Sequence, residues 1–393
     1  MVLAQTPVIV DNGSLLIKAG FSGEEQPACV LSSLVGRPKP MHQSPEMLGA
    51  ESKLIYLGRE ISSNNRCFLN VTPSIVNGTV QEWDDIESVW NYLFFKELRL
   101  NPIEHPMLMI EHDLSPIFNA EKTMSIMFET FRVPKFYSKT SGSLTLYSSG
   151  YYTGIAVDVG HNVTTMTPIY GGYTFYNAVK RVHIGGDDIT THLKKLLMTE
   201  KGFYTESFGE HEEIRMMKEK CCFVARNYEE VMNVLITPRS SSTISIHDFS
   251  TSYTLPCGTS IELDSERFRA PEILFKPQLI GRECEGIPQL IHSSIMACDA
   301  DARPELFDNI IVSGGSTQFP NFDERLQFDV SSLAKRSVQI KSCDTENRYN
   351  SPFIGGSILT SLASFNDMWI TAEEFSETGS YALMRRRKDQ YYY

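Results

Sequence analysis

One short pattern occurs twice, far apart in the chain: a β-type apolar run that ends in Asp-x-Gly. Val8-Ile9-Val10-Asp11-Asn12-Gly13-Ser14 is echoed by Ile155-Ala156-Val157-Asp158-Val159-Gly160. Each copy predicts a buried strand running into a tight turn, which presents a carboxylate and several backbone N–H groups at the strand's end. Glycine lets such a turn approach a ligand closely, and clustered amides attract anions. Two turns of this kind, facing each other, suit a polyphosphate, with Asp11 and Asp158 turned towards a divalent cation and its waters.

The segment Leu15-Leu16-Ile17-Lys18-Ala19-Gly20-Phe21 reads as a second strand, so Asp11 to Ser14 forms the tip of a hairpin. Lys18 then lies near that tip, where a surface lysine and a phosphate contact are equally good readings. At 393 residues the chain exceeds one typical core, and two domains or interlocked lobes are expected, in agreement with the duplicated turn.

A hydrophobic share of 41% and a charged share of 21% allow a substantial core. The net charge of -12 argues against a general nucleic-acid binder, which needs a basic surface. Eight cysteines are scattered without a CxxC pair or zinc spacing, so reduced thiols in a cytosolic or nuclear compartment are the simplest expectation. The N-terminus has no basic region of a secretory leader, and no apolar run is long enough to cross a bilayer, so membrane insertion is not expected.

Gly36 to Gly58 is rich in Pro, Ser, Met and Gly and reads as a long loop. Helical spacing predicts helices over Trp83 to Phe95, Glu121 to Phe131, Asp187 to Met198 and Glu210 to Val224. The aromatic stripe of the first is expected to be core. Val234 to Ile261 alternates and predicts hairpins, and Pro271-Glu272-Ile273-Leu274-Phe275 opens another helical stretch. Ile310-Ile311-Val312-Ser313-Gly314-Gly315-Ser316-Thr317 is a third strand running into a glycine turn. The alternation gives an α/β architecture. The tail, Arg385-Arg386-Arg387-Lys388-Asp389-Gln390 and three tyrosines, reads as a disordered basic extension.

With the three strand-turn motifs in register, the chain resembles actin and the actin-related proteins over nearly its whole length. Further matches are Trp83-Asp84-Asp85, Met127-Phe128-Glu129-Thr130-Phe131, Leu146-Tyr147-Ser148-Ser149-Gly150, Lys218-Glu219-Lys220, Pro271 to Phe275 and Ile354-Gly355-Gly356-Ser357-Ile358-Leu359. The resemblance implies two lobes of related, ribonuclease H-like topology around a nucleotide cleft. Residues 1–148 with 351–393 would form the small lobe, carrying 34–73 as an inserted subdomain with a loop at about 38–52. Residues 149–350 would form the large lobe, with 185–282 inserted.

The same resemblance places ATP or ADP with Mg²⁺ or Ca²⁺ against Asp11, Asn12, Gly13, Ser14, Leu15, Lys18, Asp158, Val159, Gly160, Gly186, Lys218, Glu219, Gly314, Gly315, Ser316 and Gln318. Asp11 and Asp158 would hold the metal through water, and Lys218 and Glu219 the adenosine end. It implies a cytoplasmic, cytoskeletal setting, with a nuclear or axonemal complex as the alternatives. Its partners would be further copies of itself or other actin-family subunits, with regulators at a groove formed by Tyr147, Gly150, Tyr173, Leu359 and Leu362.

The departures from the family pattern cluster around hydrolysis. Leu15 replaces a glycine after the hairpin serine; Ser141 replaces a glutamine and Thr165 a histidine that orient the attacking water. His161 replaces an aspartate that helps to hold the metal's waters, and Asn162 the glycine after it. Phosphoryl transfer to water depends mainly on positioning and charge stabilisation, so these losses together predict slow turnover. His161 is the one candidate for a compensating water-orienting role, against a drifted position as the alternative. Filament contacts change too: the loop Met41 to Gly49 is longer, Asn77 replaces an often methylated histidine, Tyr152 adds bulk beside the groove, and Arg282 enters the apolar plug Leu279-Ile280-Gly281-Arg282.

Three functions follow. The leading one is a divergent actin-like subunit that holds nucleotide structurally. The second is a conventional polymerising actin with an active ATPase, and the third a small-molecule kinase of the same superfamily, for which no acceptor motif is seen.

Overall fold

The computed structural model describes residues 6–39, 53–61, 66–204, 208–236, 249–256, 258–343, 346–388 and 391–392. Its two largest sheets are mixed, and the duplicated motif sits at the same place in each. In the first, six strands run in the order Ile370–Thr371, Lys135–Thr140, Met107–Glu111, Val8–Asn12, Leu16–Phe21, Cys29–Ser32. Val8–Asn12 pairs antiparallel with its hairpin partner and parallel with Met107–Glu111.

The second sheet repeats that arrangement. Gly154–Val159 pairs antiparallel with Thr164–Tyr170 and parallel with Ile310–Ser313, beyond which lies Ile340–Lys341. Both motif strands are flanked on each side, so their apolar residues read as unbroken runs rather than alternations. Val8, Ile9, Val10, Ile155 and Val157 are all fully buried. The result is the α/β, two-lobe actin-like fold, with a central cleft between the ends of the two motif strands.

Two helices join the lobes. Ser141–Ser148 and Ser351–Ser361 cross so closely that a Cβ on Gly355 would stand 1.9 Å from the Leu144 carbonyl oxygen. No residue but glycine permits that approach.

Several element boundaries differ from expectation. The helix from Trp83 regularises to Tyr92 and continues as a wider turn to Glu97, with Ile86, Val89, Trp90, Leu93 and Phe94 buried in the core, as the stripe implied. The next helix starts at Ile117, behind Pro116, and ends at Glu129. Gly186–Lys201 stops at Gly202, whose φ of +64° is left-handed. Phe208–Cys221 ends before Val224 because the Phe223 and Val224 amides turn to the carbonyls of Arg267 and Pro320.

The span read as hairpins begins inside a helix, Tyr228–Ile236, and its hairpin is Thr251–Thr254 with Ser260–Leu263. Residues 237–248 of that span, and 40–52 of the proline-rich loop, lie outside the described residues.

The tail is not the disordered extension the basic run suggests. Tyr381–Lys388 is a helix anchored by Ala382 and Leu383, both buried in the first lobe's core. Beyond it, Tyr391–Tyr392 pairs in parallel with Thr174 and Phe175 at the edge of the second sheet.

Candidate functional site

The first turn is held shut by its own strand pairing. Register places Asp11 opposite Lys18, and the Lys18 Nζ donates to Asp11 Oδ2 at 2.8 Å and to the Tyr349 carbonyl at 2.6 Å. Lys18 is therefore an inward residue and not a surface lysine. A Cβ on Gly13 would stand 2.4 Å from the Leu16 carbonyl, so the tip needs glycine. Ser14 Oγ accepts from the Gly78 amide at 3.4 Å.

The second turn is tied into the large lobe. The Gly160 carbonyl accepts from the Gly186 amide at 3.0 Å and from Ser316 Oγ at 3.1 Å, and the His161 carbonyl from the Asp187 amide at 2.8 Å. This brings the first turn of the helix Gly186–Lys201, an anion-attracting element, against the glycine turn. Gly314, at φ +93°, lies where a Cβ would meet the Val159 carbonyl at 2.3 Å and Asp158 Oδ1 at 2.7 Å. The Asp158 carboxylate itself makes no hydrogen bond or ion pair among the described residues. Burial pushes its pKa up, and the nearby charge of His112 pulls it back.

Between the turns lies a cleft of about 520 Å³, lined by Asp11, Gly13, Ser14, Leu15, Lys18, Asp158, Gly160, Gly186, Lys218, Glu219, Gly314, Gly315, Ser316 and Gln318 among others. That volume is within the range of small-molecule sites. Lys218 Nζ donates to the Gly186 carbonyl at 2.8 Å, and burial lowers its pKa to about 8. Beside it, Arg215 holds Glu219 at 2.6 Å and also binds Glu212.

Two of the expected contact residues do not line the cleft. Asn12 turns its Oδ1 to the Trp90 indole N–H at 3.1 Å, fixing the helix behind the sheet, because successive strand residues face opposite sides. Val159 is fully buried in the large-lobe core for the same reason.

The three positions expected to bear on hydrolysis differ in their surroundings. Ser141 Oγ donates to Asp113 Oδ2 at 3.1 Å, alongside the Gly142 amide at 2.9 Å. Thr165 is buried opposite Asp158 in the hairpin and is not a lining residue. His161 does line the cleft, but on its large-lobe wall, with Nε2 3.8 Å from Asp187 Oδ1. Burial drives its pKa down to about 4, despite Asp187. It is neutral near pH 7. His211 takes the shorter contact to the same carboxylate, 3.0 Å.

Sequence reasoning missed His112 and Asp113. His112 lines the cleft, its Nε2 is buried without a hydrogen-bond partner, and Asp113 is the buried acceptor for Ser141. The available signal was position: both directly follow Met107–Glu111, the strand parallel to Val8–Asn12, so they leave the sheet at the level of the first turn. Asp158 and Asp11 both line the cleft. No group of three or more His, Cys, Asp or Glu able to hold an ion directly occurs among the described residues.

None of the residues expected in the groove lines this cleft. Tyr147 and Leu359 are half-buried, while Gly150, Tyr173 and Leu362 are exposed, with Tyr152 more exposed still at 67%. Arg282 in the plug segment is bound to Asp188 at 2.5 Å and to the His183 carbonyl, which anchors Leu279 to Arg282 to the helix Gly186–Lys201. The described residues contain no helix long and apolar enough to cross a membrane. The family model for actin matches residues 2–388.

Proposed function

This chain belongs to the actin family, and on that premise we propose that its cleft holds ATP or ADP with a hydrated Mg²⁺ or Ca²⁺ as a structural ligand. In this reading the protein is a divergent actin-like subunit of a cytoskeletal filament or a larger multiprotein assembly, working in the cytoplasm. The observation that carries it is the convergence of three glycine turns, two aspartates and Lys218 on one cleft of small-molecule size. A Cβ on Gly13 or Gly314 would collide with backbone, so the turns keep the narrow backbone surface that a polyphosphate needs. The lobe division at 148/149 and 350/351 belongs to the same proposal.

Each residue has a task that its surroundings support. The hairpin amides after Gly13 and those after Gly160 donate to phosphate oxygens, and Lys18 neutralises the charge of those oxygens while positioning Asp11. Asp158, free of protein partners, suits the waters of a cation. The bound cation supplies charge neutralisation. Lys218 and Glu219 would border the nucleoside. Hydrolysis is slow in this proposal, because Ser141 is committed to Asp113, Thr165 is outside the cleft, and the neutral His161 faces Asp187.

Assembly contacts are proposed at the groove of Tyr147, Gly150, Tyr173, Leu359 and Leu362, whose exposed aromatic rim suits a docked partner segment. Purified protein should carry adenine nucleotide and melt higher with excess Mg-ATP, by mass action on the folded state. An empty protein with an unmoved melting temperature would overturn the reading. A phosphate-release trace under assembling conditions should stay near the buffer baseline, and turnover at conventional actin rates would return the second function to first place.

A further inference from the structure

His112 is the unused group of the cleft. It leaves the small-lobe sheet directly after Met107–Glu111, lines the cavity with Asp11, Ser14, Ser141 and Asp158, and acts electrostatically on Asp158. Its Nε2 is buried and makes no hydrogen bond among the described residues. A buried polar nitrogen without a partner is costly, and a native fold retains one where something else satisfies it.

A Cβ on Gly78 would stand 2.8 Å from His112 Cγ and Cδ2, so the Asn77-Gly78 turn lies flat against the imidazole. That turn is itself braced, by Ser14 Oγ accepting from the Gly78 amide, by Ser115 Oγ donating to the Gly78 carbonyl at 3.0 Å, and by Arg181 donating to the Asn77 carbonyl. The Ser141 hydroxyl, which lines the same cleft, is spent elsewhere: its Oγ donates to Asp113.

We propose that His112 is a specificity-determining residue, hydrogen-bonding through Nε2 to the terminal phosphoryl group of a bound nucleoside triphosphate. This rests on the nucleotide reading above and adds to it the preference for triphosphate over diphosphate. The position fits the chemistry: the Nε2–H tautomer or the imidazolium donates to an anionic oxygen, at the end of the cleft where Ser14 and the two aspartates meet. A diphosphate ends one phosphoryl group short and leaves the imidazole without that partner.

The test is calorimetric titration of Mg-ATP and Mg-ADP into nucleotide-stripped wild type, His112→Ala and His112→Gln, with a thermal melt of each protein as a folding control. The alanine variant should lose about tenfold or more in ATP affinity, the size of a charge-assisted hydrogen bond, and keep its ADP affinity. Glutamine, which retains an N–H donor, should recover part of the ATP loss. Equal losses for both nucleotides, or none for either, would overturn the proposal while leaving nucleotide binding intact. A wild type that binds neither nucleotide would remove the nucleotide reading and this inference with it.

Discussion

The two lobes carry the same four-residue turn and have opposite electrostatic solutions to it. In Asp11-Asn12-Gly13-Ser14 the carboxylate is neutralised in advance by Lys18, its cross-strand neighbour, at 2.8 Å. In Asp158-Val159-Gly160-His161 the cross-strand neighbour is Thr165, which offers no charge, and Asp158 stays unpaired with its pKa raised by burial. The fourth residue differs likewise: Ser14 braces the Gly78 amide, whereas His161 faces Asp187. One backbone motif thus gives a preset turn and a waiting one. The side chain opposite the aspartate decides which, since strand register fixes the neighbour.

Replacing each aspartate in turn should separate the two. Asp11→Asn leaves Lys18 as a nearly buried cation without its paired carboxylate, and should destabilise the nucleotide-free protein by about 2 kcal/mol, reduced from a fully buried pair because both groups border the cleft. Asp158→Asn removes a buried carboxylate that has no protein partner, and should leave nucleotide-free stability unchanged or raised by about 1 kcal/mol, while abolishing the extra stability given by Mg-ATP. Urea midpoints with and without Mg-ATP give both quantities. Equal losses for the two variants would break the comparison.

The backbone half of this contrast was legible in the sequence. An apolar run into Asp-x-Gly specifies a buried strand and a phosphate-sized turn through local chemistry alone, and Lys18 follows at hairpin spacing. The electrostatic half was not legible. Asp113 meets Ser141 beyond the ends of two neighbouring parallel strands, and His112 acts on Asp158 from the other sheet, so no spacing rule links either pair. The resemblance places Asn12 and Val159 in the cleft, although strand alternation turns them away from it. The tail misled for another reason: its basic run suggested solvent, but Ala382 and Leu383 suffice to pin the helix that carries it.

His161 gives the comparison a pH axis. Its folded pKa of about 4 lies below the ordinary 6.5, so between these values the unfolded chain takes up a proton that the folded chain refuses. Stability must therefore fall as pH drops from about 6.5 towards 4 and level off below. The full shift sets a ceiling of roughly 3 kcal/mol, and the partial exposure of the ring reduces the expected loss to about 1 to 2 kcal/mol. His161→Asn should be the less acid-sensitive protein when denaturant midpoints at pH 7 and pH 4.5 are compared. An identical acid loss in both would place the sensitivity elsewhere, and with it the claim that the second turn's fourth residue is held neutral.

The smallest effect tests how the sheets close their edges. The first ends on its own lobe's Ile370–Thr371, while beside Tyr173–Phe175 the second takes Tyr391–Tyr392 from a chain that has just left the other lobe's core. Two residues of pairing contribute little to stability, and truncation after Lys388 should cost no more than about 1 kcal/mol. The local consequence should be sharper than the global one. Amide exchange along Tyr173–Phe175 should quicken several-fold, while Val8–Asn12, flanked on both sides by strands of its own lobe, keeps its protection. Uniform quickening in both sheets would mean that the tail stabilises the whole molecule. No change at Tyr173–Phe175 would mean that the pairing contributes nothing to that edge, and that the second sheet, like the first, is closed without it.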